Sequence, residues 1–152
     1  MSKYLLAIDP AEAAGWALFE EGIPVKYGTG RGANWHTLIE DLQKQITPSS
    51  HYNSCTAVIE QGWLTRANKG AQTLAQRRGI AQAAAEFLGF RNIVYVGAST
   101  WQNALGWRRG QDTKKWSLSY VKKRFNIDGV THDVADALAV GAYMLDIGLD
   151  TA

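Results

Sequence analysis

The chain of 152 residues has one cysteine, Cys55, which excludes an internal disulfide framework and a cysteine-rich zinc site. Cys55 precedes an apolar segment, as suits a buried, inert thiol. No apolar run reaches membrane-spanning length, and Met1-Ser-Lys leads straight into a strand-like segment rather than a secretory signal. The expected setting is cytoplasmic, with no membrane partner. There is no internal repeat, low-complexity tract or interdomain linker, and the length suits one domain over residues 1–152 with a sizeable core. No Lys or Arg follows Arg124, so the acidic last stretch has no counter-charge of its own.

That last stretch, THDVADALAVGAYM from Thr131 to Met144, reads as a helix capped by Thr131. Asp133 and Asp136 are three apart and share one side of it. Following that side onward gives Ala137, Val140, Gly141 and Met144, so Asp136 belongs to a face that should be buried. An ionised carboxylate there is costly unless something positive meets it. The candidates are a metal ion or a basic group from elsewhere in the chain. Asp133, taken alone, is also what a helix N-terminus favours.

The net charge of +2 conceals an asymmetry. Residues 1–60 carry 4 basic and 7 acidic groups, residues 61–130 carry 12 and 3, and residues 131–152 carry 0 and 4. A basic middle between acidic ends suggests a polyanion held beside a cluster of carboxylates.

In chain order, YLLAID (Tyr4 to Asp9) is a central-type strand ended by Pro10. Gly15 to Glu20 and Ile23 to Gly28 continue it as a meander through Glu21-Gly22. Leu38, Ile39, Leu42 and Ile46 have helical spacing behind Asn34 as a cap, and the helix ends before Pro48. Thr47 to Ser54 is a polar loop. TAVIE (Thr56 to Glu60) is a second buried-type strand finishing on an acid. If it lies parallel beside the first, Asp9 and Glu60 meet at their C-terminal ends, the edge where open α/β sheets place their sites. A loop from Gln61 to Lys69 carries Trp63, Arg66 and Lys69. An Ala- and Gly-rich helix follows from Gly70 to Leu88, then a strand from Ile93 to Val96 and a short helix from Ser99 to Leu105. The loop Trp107 to Thr113 carries Arg108 and Arg109. A basic helix from Lys115 to Phe125 leads through Asp128-Gly129 to the last helix.

Four oxygen-donor acids (Asp9, Glu60, Asp133 and Asp136) without a His or Cys cluster match a hard cation, Mg²⁺ or Mn²⁺, one or two per site. Beside a basic strip this points to a nuclease. His132 is a further candidate as base or outer ligand, or simply a helix-start histidine.

AIDPAEAAGWALFEEG, AVIEQGWLTRANKGAQTLAQRRGIAQAAA and HDVADALAV together resemble the successive motifs of RuvC-type Holliday-junction resolvases, in order and spacing from Tyr4 to Met144. The resemblance implies a ribonuclease H-like α/β fold, with a mixed five-stranded sheet in order 3-2-1-4-5 and helices on both faces. It also implies a crossover junction endodeoxyribonuclease, acting by paired symmetric phosphodiester hydrolysis to leave 5′-phosphate and 3′-hydroxyl nicks. Asp9, Glu60, Asp133 and Asp136 match the family's catalytic and metal-binding acids. Lys114 matches a lysine ahead of the basic helix that holds or polarises the cleaved phosphate, and Lys115 is the neighbouring choice. Trp63 matches an aromatic that stacks on junction bases. Phosphate contacts are expected from Arg66, Lys69, Arg108, Arg109, Lys114, Lys115, Lys122 and Lys123. The implied partner besides branched, four-way DNA is a second copy of the chain, paired through the Gly70–Leu88 helix, whose small residues permit close approach.

Three positions depart from the family pattern. Ala11 stands where glycine is usual after the first Asp-Pro, Trp101 stands at a second basic position, and the loop with Arg108 and Arg109 is about two residues longer. They bear on DNA contact rather than on the acids. Other readings are a ribonuclease H-like nuclease for forks, flaps, three-way junctions or structured RNA, an actin-like nucleotide-binding domain and a non-catalytic DNA-binding module. Ala-Glu-Ala-Ala after Asp9-Pro10 is a poor phosphate loop for the second. The third leaves four converging acids unexplained.

Overall fold

The computed structural model describes residues 3–61 and 69–148, with the side chains of residues 69–71 excepted. Its strands are β1 (Tyr4–Asp9), β2 (Ala13–Glu20), β3 (Ile23–Arg31), β4 (Thr56–Gln61) and β5 (Asn92–Gly97). Its α-helices are α1 (Trp35–Gln43), α2 (Lys69–Leu88), α3 (Ala98–Leu105), α4 (Thr113–Phe125) and α5 (His132–Ile147). The strands form one mixed sheet in the order β3-β2-β1-β4-β5. The meander is antiparallel, and β1, β4 and β5 run parallel.

The meander turns at Glu21 and Gly22, both at positive φ (51° and 82°), the two-residue geometry that matches the twist of paired strands. It is longer than the sequence pattern indicates: β2 begins at Ala13 and β3 continues to Arg31, because Ala13↔Arg31 and Ala14↔Gly30 still pair. Cross-strand pairing overrides the low strand preference of Gly28 and Gly30. The register slips between Leu18 and Phe19, opposite Pro24. Proline cannot donate to a ladder, and β3 is an edge strand where this is tolerated. Asn34 caps α1 by accepting from the His36 N–H at 2.8 Å. The helix ends at Gln43, short of Ile46, which is nevertheless buried.

Strand alternation sorts the sheet into two cores. Leu6, Ile8, Trp16, Leu18, Ala57 and Ile59 face α1 and α2, together with Leu38, Leu42, Ala81, Ala84 and Leu88. Leu5, Ala7, Ala17, Phe19, Val58 and Val96 face the other way, with Trp101, Val121, Val134, Leu138 and Met144. Since residues i and i+2 share a face, Asp9 continues the Leu5–Ala7 row and Glu60 continues Val58. Both acids therefore point to the side covered by α5. The pairing Ile8↔Ile59 places them one step beyond, side by side at the C-terminal edge.

Two glycines set the depth at which α5 docks. A Cβ at Gly15 would lie 2.0 Å from the backbone oxygen of Asp133, and one at Gly141 would lie 2.2 Å from the Phe19 ring. The helix start thus rests directly on β2, beside Asp9, the strand partner of Gly15. α4 is tied to α5 by Arg124, which donates to both carboxylate oxygens of Asp146 at 2.8 and 2.7 Å. No described helix is long and apolar enough to cross a membrane.

Candidate active site

Asp9, Glu60 and Asp136 converge. Each offers a carboxylate oxygen, and these atoms all lie within 4.8 Å of one another. Asp9 and Glu60 arrive from neighbouring parallel strands, Asp136 from the second turn of α5. Glu60 is 8% exposed, and Asp9 and Asp136 are partly buried. No Lys or Arg within ion-pair distance of any of the three occurs among the described residues.

The electrostatics follow from that geometry. Burial, then the neighbouring charges of Glu60, Asp136 and Asp133, holds the Asp9 carboxyl well above the usual carboxylate range. Burial pushes Glu60 up as well. Burial and Glu60 push Asp136 up to about 7, against the opposing pull of Ser117 and Lys114. Three acids that resist ionising together form a site lacking a positive charge. A divalent cation fits the donor set: all ligands are hard oxygens, and the spacing allows one ion to touch all three.

The sign of the pH effect is fixed by these shifts. A carboxyl whose pKa is higher in the folded than in the unfolded state favours folding most below the unfolded value, and that benefit is lost as pH rises through the folded value. Without divalent ions, the melting temperature should therefore fall as pH rises from about 4 through about 7. Adding Mn²⁺ at the upper end should restore it. A metal-free melting profile that climbs over this range would show that the acids are not held in mutual repulsion.

Asp133 lies in the first turn of α5, near enough to raise its three neighbours yet outside the group that shares a centre. His132 Nε2 sits 3.3 Å from Asp133 Oδ1, placing the histidine on the outer side of that acid. Lys114 requires a correction of local structure. It lies inside α4, in its first turn, rather than ahead of the helix. Asp112 caps the helix, which begins at Thr113, two residues before the Lys115 start that the charge pattern indicates, and it accepts from the backbone N–H groups of Lys114 and Lys115 at 3.0 and 3.1 Å. Lys114 is exposed and near enough to Asp136 to favour its ionised form.

Two neutral side chains complete the surroundings. Ser117, fully buried one turn after Lys114, faces Asp136 and donates to the Lys114 carbonyl at 3.2 Å. Nothing in the sequence marks it, since a serine one turn from a lysine is ordinary within a helix. Trp101, fully buried, sets its indole beside Glu60.

The other basic candidates divide. Lys122 bridges Asp128 at 3.1 Å and donates to Asn126, which ties it to the turn after α4. Arg108 donates to the backbone carbonyls of Trp107 and Asn103, closing the end of α3. Arg109, Lys115 and Lys123 are exposed. Trp63 and Arg66, and the side chain of Lys69, lie outside the described residues.

No protein-family profile and no curated protein sequence matches the chain. Solved structures do. RuvC from T. thermophilus in complex with a Holliday junction substrate superposes with a TM-score of 0.66 at 16% identity, covering 95% of this chain and 96% of that one. A second Thermus thermophilus RuvC structure gives 0.64 at 15%, with the same coverage. The five-stranded mixed sheet and its helices are thus the RuvC, ribonuclease H-like fold over nearly the whole chain.

Proposed function

We propose that this chain is a metal-dependent endonuclease that resolves four-way DNA junctions by paired, symmetric phosphodiester hydrolysis, leaving 5′-phosphate and 3′-hydroxyl nicks. The observation that carries the reading is the convergence of Asp9, Glu60 and Asp136 within 4.8 Å beside the first turn of a basic helix. The fold shared with a protein solved on a Holliday junction supports the substrate class.

Asp9, Glu60 and Asp136 would hold Mg²⁺ or Mn²⁺, one or two ions per site, with Asp133 on the open side. Such an ion would make a bound water more acidic, orient it for in-line attack and supply a positive charge for the phosphoryl oxygens. Lys114, near Asp136 and free to reach outward, would hold a non-bridging oxygen of the cleaved phosphate and offset the charge that builds there. His132, beside Asp133, is assigned to the outer rim as an auxiliary group. Arg66, Lys69, Arg108, Arg109, Lys115, Lys122 and Lys123 are assigned to the flanking phosphates, where each contact releases counterions. Trp63 is assigned to stacking on an exposed base at the junction centre.

One acid cluster among the described residues and two symmetric cuts call for two chains about a two-fold axis. The helix α2 is the proposed contact. Ala75, Gly79 and Ala83 recur on its exposed face at four-residue spacing, and a Cβ on Gly79 would meet nothing within 4 Å. Trp35, 47% exposed, borders the same groove.

Mapping the products on four-way, three-way, forked and linear DNA tests the proposal. The expected result is paired nicks at symmetry-related positions of the four-way junction, dependent on Mg²⁺ or Mn²⁺. Equal cutting of forks, flaps or three-way junctions would move the reading to a broader branched-DNA nuclease. Tight binding with no cleavage under any divalent ion would overturn the enzymatic reading.

A further inference from the structure

We propose that Trp101 is a positioning residue for the acid cluster, its indole N–H closing onto one oxygen of Glu60 and so fixing the other toward the metal. The inference rests on the metal-site reading above and adds a residue to it.

The chain places Trp101 there by a short path. Gly97, the last residue of β5, pairs with Gln61, the neighbour of Glu60. α3 begins at the next residue, so Trp101 returns over the end of β4 within about one helical turn. The side chain is fully buried, and its Nε1–H has no hydrogen-bond partner of full geometry. Buried donors without acceptors are rare, and each calls for a reason. Glu60, at the end of the strand that β5 pairs with, is the carboxylate beside it. The contact is therefore poised rather than made.

The chemistry suits a partner behind a metal ligand. A carboxylate has two oxygens, so it can serve a cation with one and accept a hydrogen bond on the other. Fixing a ligand from behind in this way raises its usefulness to the ion. An indole does so without charge, whereas a lysine at the same place would compete with the ion for Glu60. The ring is also held from the far side: Trp116 of α4 lies 6.2 Å away, and Trp116 stacks on Tyr120 at 5.4 Å. It cannot readily swing out of the site.

The structure includes its own control. Trp16 is likewise buried with an unpartnered Nε1–H. It packs with Leu18, Leu38 and Leu42 on the opposite face of the sheet.

The experiment is calorimetric titration of Mn²⁺ into the DNA-free protein and its W101F and W16F variants. W101F should bind about 10- to 100-fold more weakly, with W16F within about twofold of the parent. In a second measurement on ¹⁵N-labelled parent protein, Mg²⁺ should move the Trp101 indole cross-peak downfield and leave the Trp16 peak in place. The two peaks are assigned in the parent protein by nuclear Overhauser contacts, Trp101 to the Trp116 ring and Trp16 to Gly28. W101F affinity equal to the parent's would overturn the proposal and leave the nuclease reading standing. So would a Trp101 indole signal unmoved by Mg²⁺, which decides the matter if W101F does not fold. A parent protein that binds neither ion would overturn the metal-site reading, and this proposal with it.

Discussion

Asp136→Asn protein is expected to lose junction cleavage by more than the ~10- to 100-fold typical of losing an outer-sphere metal partner. Junction binding should be kept or tightened. Asparagine preserves the shape and the acceptor facing Ser117, but it removes one of three charges that meet at a single point. It also removes a negative charge from the neighbourhood of the DNA phosphates, so affinity for uncut junction rises if it moves at all. The same change should stabilise the metal-free fold at pH 8, because each unit of upward pKa shift is worth ~1.4 kcal/mol against the ionised form. Cleavage assays with gel-shift binding and melting curves read all three effects. Full activity in Mg²⁺ would mean that Asp136 is not part of the site. A loss of cleavage accompanied by a fall in metal-free melting temperature would point to a folding role instead.

Gly15→Ala is expected to do comparable damage without touching an ionisable group. The new Cβ would meet the Asp133 carbonyl at 2.0 Å, and the obstacle is the backbone of α5 rather than a flexible side-chain end. Either β2 or the start of α5 must move. Overpacking of this kind costs ~1–3 kcal/mol or more. Any shift of α5 moves Asp133 and Asp136 away from Asp9, which is fixed in the neighbouring strand. The expected outcome is a folded but less stable protein with weakened Mn²⁺ binding and strongly reduced cleavage. Gly22→Ala makes a useful comparison. It lies at positive φ in the hairpin turn, far from the acids, with open space around it. It should cost stability through backbone strain and leave metal affinity unchanged. Equal metal affinity in the Gly15→Ala protein and the parent would contradict the close-docking argument.

Much of the acid cluster is legible in the sequence because two periodicities meet in it. Leu5, Ala7 and Asp9 alternate along β1, Val58 and Glu60 along β4, and Asp136 continues a helical row of small residues. Each pattern says which way its acid points, and the two parallel strands bring the ends together. The hairpin at Glu21-Gly22 follows from the same strand signals, whereas the full sheet order is what the family resemblance implies. The role of Gly15 is not legible. A glycine in a strand reads as a weak point, and only the docked helix shows that its missing side chain is where α5 lies. The start of α4 was masked by the run of charges after Gly110. Asp112 reads there as one more charge rather than as a cap, so Lys114 reads as lying one residue ahead of a helix that in fact begins at Thr113. Ser117 and Trp101 escape for a different reason. Neutral donors among apolar neighbours carry no period or charge to mark them, and their proximity to Asp136 and Glu60 is a tertiary fact.

The central claim is that Asp9, Glu60 and Asp136 hold a divalent cation. It is tested most directly by anomalous scattering from crystals of the protein soaked in MnCl₂. The account predicts a manganese peak between these three carboxylates, with ligand oxygens at about 2.0–2.2 Å and further positions left to water. The contradicting result is a soaked crystal with no peak there, its three acids still side by side and manganese bound only at other carboxylates.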